Sequence, residues 1–132
     1  MSTQFDVLDR LYPQINVATV NTLINGNVYR YKKPLNSEKQ DIVIVPLFLR
    51  DGEEMVAQPG TFFINMYAQN FDNGEVDGAK LNAISDAVVN QVTSFRQGVT
   101  YMHLEIESES LYQDEDQDNM SYASLRLLVV TE

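Results

Sequence analysis

The side chains able to do chemistry are few, and most are solitary. His103 is the single histidine, and it stands among Glu105 and Glu107 in an alternating stretch with no cysteine anywhere in the chain. A transition-metal site or an acid/base pair needs a second ligand or partner at fixed reach, so His103 reads as a surface residue. Asp114, Asp116 and Asp118 have the alternate spacing that opens a calcium loop. That pattern fails at its sixth position, where Asn119 replaces the required glycine, and at its twelfth, where Leu125 replaces a bidentate glutamate. The run therefore reads as a solvated acidic tip. Tyr29, Arg30, Tyr31, Lys32 and Lys33 interleave aromatics with bases as nucleic-acid platforms do. Five residues in an acidic chain fit an edge strand protected by lysine better. No phosphate-loop, dinucleotide, zinc-protease or serine-hydrolase signature occurs. The expectation is a non-enzymatic chain with no catalytic residues, no cofactor and no metal.

The elements that must position these residues are clearest in 61–95. Residues 61–69 (TFFINMYAQ) alternate, with Phe62, Ile64, Met66 and Ala68 on one face and Phe63, Asn65, Tyr67 and Gln69 on the other. Residues 70–78 (NFDNGEVDG) are turn chemistry, and Asp77 is placed to cap a helix starting near Gly78. In that helix Leu81, Ile84, Val88 and Val92 form a buried stripe widened by Ser85, with Lys80, Asn82, Asp86 and Asn90 away from it.

Upstream, Phe5, Leu8 and Leu11 or Tyr12 predict a short amphipathic helix over 3–12, capped by Ser2 or Thr3 and stopped by Pro13. Residues 17–24 fit a helix through Val17, Val20 and Ile24 and a strand through their β-branched content; of the two, a helical turn or two is the expectation. Asn25, Gly26 and Asn27 make a turn into a short strand over 28–32, ended by Pro34. Residues 35–41 read as polar loop and 42–49 (IVIVPLFL) as a strand covered on both faces. Pro46 removes a ladder donor, so that strand must be at an edge, bulged or unpaired on one side there. Residues 50–60 read as an exposed loop. Beyond a helix stop at Gln97 and Gly98, residues 99–112 alternate, with Met102, Leu104 and Ile106 inward and Tyr101, His103, Glu105 and Glu107 outward. Residues 120–130 alternate likewise, with Ala123, Leu125, Leu127 and Val129 inward, giving a long antiparallel hairpin whose connection is acidic.

The predicted order is α, α, β, β, β, α, β, β: an α+β, two-layer fold in which two or three helices pack on one mixed, mostly antiparallel sheet. With 132 residues the expectation is one domain spanning 1–132. Hydrophobic content of 44% with 21% charge is that of a soluble domain, with no apolar run long enough for a bilayer and no secretory pattern at the start. The cytoplasm is the expected site of synthesis and folding.

Formal charge is −10 and uneven: residues 96–132 carry 8 acids against Arg96 and Arg126, whereas 1–95 carry 11 acids against 7 bases. Such a chain repels phosphate backbones, which argues against tight DNA or RNA binding. It also suits a wall past which DNA must slide without sticking.

The order of these signals resembles a known group. A helix precedes a turn and an N-V-Y strand start (Asn27, Val28, Tyr29) with a downstream Pro34. A buried strand over 42–45 and a strand reading F-I-N-M-Y-A over 63–68 follow. A short D/N/G loop then leads into Asp77, Leu81, Ile84, Ala87 and Val88 of a helix, and two strands close the chain. This arrangement resembles the tail-terminator, or tail-completion, proteins of long-tailed bacteriophages and prophages, the lambda gpU-like group, over nearly the whole chain.

The resemblance implies a virion structural protein, assembled in the host cytoplasm, that forms a homo-oligomeric ring, about six copies, on the end of the tail tube. There it meets tail-tube and neck or connector proteins, while DNA passes through without tight binding and no membrane is involved. Within that implication, Arg30, Lys32 and Lys33 are the candidate inter-subunit bases. Glu105, Glu107, Asp114, Glu115, Asp116 and Asp118 are the candidate lumen-facing acids. Alternatives are another neck or prophage tail component and, in a different class, a small cytoplasmic ligand-binding or regulatory domain with a concave apolar pocket.

Overall fold

The long helix α3 (Gly78–Gly98) sets the layer on which the rest packs. Asp77 caps it: its Oδ1 accepts from Lys80 N at 3.1 Å and its carbonyl from Leu81 N at 3.1 Å, satisfying donors that the first helical turn leaves open. The predicted stripe is the buried one, with Ile84, Val88 and Val92 sealed from solvent and Leu81 and Ser85 nearly so, while Asn82, Asp86 and Asn90 are exposed.

The computed structural model describes residues 4–47, 58–98, 102–115, 117 and 119–131. Ser2 and Thr3, the side chain of Phe5, the loop over 50–57 with Phe48 and Leu49 before it, Val99 and Tyr101, and Asp116 and Asp118 lie outside the described residues.

Two further helices, α1 (Gln4–Ile15) and α2 (Ala18–Asn21), join α3 on one face of a five-stranded sheet. The strands are β1 (Val28–Arg30), β2 (Ile42–Leu47), β3 (Gln58–Gln69), β4 (Met102–Gln113) and β5 (Met120–Thr131), in the order β1-β2-β3-β5-β4. β1 runs parallel to β2 and every other pair is antiparallel, which is the predicted α+β, mostly antiparallel architecture. One continuous core holds it together: Leu8, Leu11 and Ile15 of α1 and Ile84, Val88 and Val92 of α3 close over Ile44, Ile64, Leu125 and Leu127 of the sheet.

Pro46 sits where its chemistry demands. The β1 ladder ends at the Arg30–Ile44 pair, so Pro46 has a neighbour only on the β3 side, opposite Phe62. Val43, on the sheet face away from the helices, is nevertheless buried, because the loop after β1 folds back over it.

Four expectations are corrected. Pro13 does not stop α1, which runs on to Ile15. Proline costs the Asp9 carbonyl its helical partner, but Asp9 and Pro13 are both exposed, and complete burial of Ile15 offsets much of the roughly 3 kcal/mol an interior proline costs. β1 stops at Arg30 because Tyr31 takes φ 75°, with Lys32 N bonded to Arg30 O at 2.9 Å, a tight γ-turn that reverses the chain. β3 begins at Gln58, not at Thr61, since the β5 ladder extends to Thr131 opposite it. Residues 35–41 are not simply polar loop: Asp41 is fully buried and accepts from Ser37 Oγ at 2.6 Å and Asn27 N at 3.1 Å. Gly26 passes so close to this carboxylate that a Cβ there would overlap Asp41 Oδ1.

Candidate assembly surfaces

The helices cover one face of the sheet and leave the other largely open, so the polar members of each alternating strand become surface. On that outer face Tyr67 of β3, Tyr122 of β5 and Tyr112 of β4 form a cross-strand ladder, with ring centroids 4.9 and 5.3 Å apart. Partial burial, the Tyr112 phenol and the carboxylates Asp114 and Glu115 together raise the ionisation point of the Tyr122 phenol above that of a free tyrosine. Beside the ladder, Ser124 Oγ donates to Asn65 Oδ1 at 2.6 Å. An open cleft of about 360 Å³ lies between the 31–36 loop and the tyrosine end of β3.

The three candidate bases lie at the β1 end and differ in their surroundings. Arg30 is 3.4 Å from Asp9 Oδ1 and stacks at 4.7 Å over the Tyr12 ring. Lys33 is mostly buried: Nζ donates to Ser37 O at 3.1 Å and Gln117 Oε1 at 3.4 Å, lies 4.0 Å from Asp114 Oδ2 and sits 4.9 Å over the Tyr67 ring. Lys32 is exposed and has no ion-pair partner among the described residues. Alongside it Tyr31 is half-exposed and Leu35 is 88% exposed, so the loop presents apolar bulk and one free positive charge together.

The candidate acids are also separated by the fold. Glu105 pairs with His103 at 2.9 Å and Glu107 with Arg126 at 3.3 Å, all on the outer face. Glu115 is exposed. Asp114 is a correction to the solvated tip: it is 8% exposed and faces Lys33, so bases and acids 81 positions apart in the chain meet inside one subunit.

A further rearrangement was not expected from strict alternation. β4 carries a bulge at Glu107, the residue between the Ile106–Leu127 and Ser108–Arg126 pairs. Past it the faces exchange, so Glu109 lies opposite inward-facing Leu125 and Leu111 opposite Ala123. Glu109 Oε2 accepts from the buried Ser85 Oγ of α3 at 2.6 Å. A recess of about 290 Å³ opens here between the start of α3 and β4, lined by Val76, Leu81, Leu111 and Ala123 with Glu109 at its side. One sequence signal marks the bulge: the apolar positions pass from even (Leu104, Ile106) to odd (Leu111) within a single strand.

Among the described residues no three of His, Asp and Glu are grouped to hold a metal ion, and no helix is long and apolar enough to cross a membrane.

No family model matches this chain, and no curated protein matches it. Its structure is similar to that of a chain in the virion of a native gene transfer agent particle, with a TM-score of 0.66 over 92% of this chain and 91% of that one, at 16% identity. The two share one fold. The likeness covers most of both chains.

Proposed function

We propose that this chain is a virion structural protein of a phage or prophage tail, a tail terminator that closes into a ring, about six copies, on the end of the tail tube and joins it to the neck. The observation that carries this reading is the whole-length fold likeness to a chain of a virion particle, which agrees with the terminator-like order of elements in the sequence. The chain acts by assembly, not by catalysis. Its location is the virion, and its partners are copies of itself, tail-tube protein and neck proteins.

A ring of identical copies requires two unlike patches that meet head to tail. The loop after β1 and the β4 edge of the sheet are such a pair, one presenting Lys32 and apolar bulk and the other acids and a recess. The outer face, with Glu105, Glu107 and Glu115, then lines the DNA path and keeps the duplex from adhering. Native mass spectrometry at low salt, alone and with tail-tube protein added, tests the proposal. Species several times the 15.0 kDa subunit mass, weakening as salt rises, are expected. Monomer throughout overturns it.

A further inference from the structure

The fold leaves one exposed apolar feature, on the loop that folds back from β1 over the outer face, and one receptive feature, a recess between α3 and β4. The row Arg30–Ile44–Ile64–Leu125–Glu109 crosses all five strands, and the next, Val28–Ile42–Met66–Ala123–Leu111, runs beside it. The loop that leaves Arg30 holds Tyr31 and Leu35, which are half and almost wholly exposed. At the far ends of these rows, about 19 Å from Arg30 and Val28 across four strand spacings, Glu109 and Leu111 border the recess under α3.

The two features complement each other in shape and charge. The loop is held rather than trailing: the γ-turn at Tyr31, positive φ at Asn36 and the internal bonds of Lys33 fix it, so Leu35 is presented with little ordering left to lose on docking. The recess has Val76, Leu81, Leu111 and Ala123 in its lining, which suits an aliphatic side chain. Leu111 is itself 57% exposed at the mouth, so apolar surface waits on both sides of the contact. Lys32 is the exposed base beside the knob, and Glu109 is the carboxylate at the recess.

We propose that Leu35 of one copy docks into the recess between α3 and β4 of the next, with Lys32 against Glu109, and that this is the repeating contact of the assembly. The inference rests on the ring reading and adds to it the surface, the occupant and the polarity. Because the knob lies over the outer face and the recess between α3 and β4, they are separate patches, so each contact leaves a knob and a recess unused and the contact passes from copy to copy.

The chain lacks cysteine, so Leu35→Cys and Leu111→Cys variants each carry a single thiol. Both positions are exposed, and circular dichroism checks that both variants fold. With a short bismaleimide at low salt, a mixture of the two single variants is expected to give linked dimer at several-fold the yield of either alone, and the double variant a ladder of linked species. Lys32→Glu on the Leu35→Cys chain is expected to cut the mixed yield several-fold, and Glu109→Lys on the Leu111→Cys chain to restore it. Native mass spectrometry of the unmodified protein under the same conditions separates the two ideas. Oligomers without preferential mixed linkage overturn the docking surface and leave the ring reading standing. Monomer with no linkage overturns both, and linkage of Leu35→Cys chains chiefly to themselves overturns the proposed polarity.

Discussion

Ile84 is the residue whose truncation tests the packing of α3 most directly. Its side chain is fully buried between α1 and the sheet, and Ile84→Ala removes the equivalent of three methylene groups. Transfer alone is worth about 2.4 kcal/mol at about 0.8 kcal/mol per group. The cavity left behind adds to this, since the core cluster that Ile84 belongs to is built on helices and strands that collapse only in part, giving a loss of about 3–4 kcal/mol. With an unfolding entropy of about 2.1 cal/mol/K per residue, a domain of this length loses about 11–14 °C in Tm. Asn82→Ala, two residues away on the exposed face, is expected to change stability by less than about 0.5 kcal/mol. The assay is urea unfolding followed by circular dichroism at one protein concentration, with midpoint and slope compared across the three proteins. Similar losses for both variants, or a larger loss for Asn82→Ala, would refute the helical phase and the core built on it.

Gly26→Ala is expected to cost about 1–3 kcal/mol in the same assay, because its methyl group must displace the buried Asp41 carboxylate and loosen the 37–41 segment; wild-type stability would show that this close approach is not needed. Tyr122 ionises above the ordinary tyrosine value, so its neutral form contributes stability that is complete below about pH 10 and is lost as pH rises through the folded value. Spectrophotometric titration should show a late-titrating tyrosine that Tyr122→Phe removes, and an unchanged curve in that variant would contradict the assignment. Replacing Glu115, Asp116 and Asp118 with Lys, while keeping Asp114 for its contact with Lys33, is expected to give particles that assemble but eject DNA slowly. Normal ejection from such particles takes the hairpin out of the DNA path.

The sequence by itself determined what depends on near neighbours. The order of the eight elements, the buried stripe of α3, the Asp77 cap, the inward faces of β3 and β5 and the constraint at Pro46 follow from side-chain periodicity and from which residues can donate, cap or turn. Even the bulge at Glu107 leaves a trace, in the shift from Leu104 and Ile106 to Leu111. Tertiary structure alone decided what depends on distant partners. It set β1 parallel to β2, placed β5 between β3 and β4, and carried α1 through Pro13 because Ile15 had a core to enter. It buried Asp41 beneath Gly26 and brought Lys33 to Asp114, turning two apparently solvated charges into internal ones. It also left Leu35, on the loop after β1, and Leu111, opposite Ala123 on β4, both exposed on different elements. Periodicity reports which face of an element is dry, but pairing energy between strands far apart in sequence is a property of the assembled sheet, and so is every surface whose two halves come from different edges.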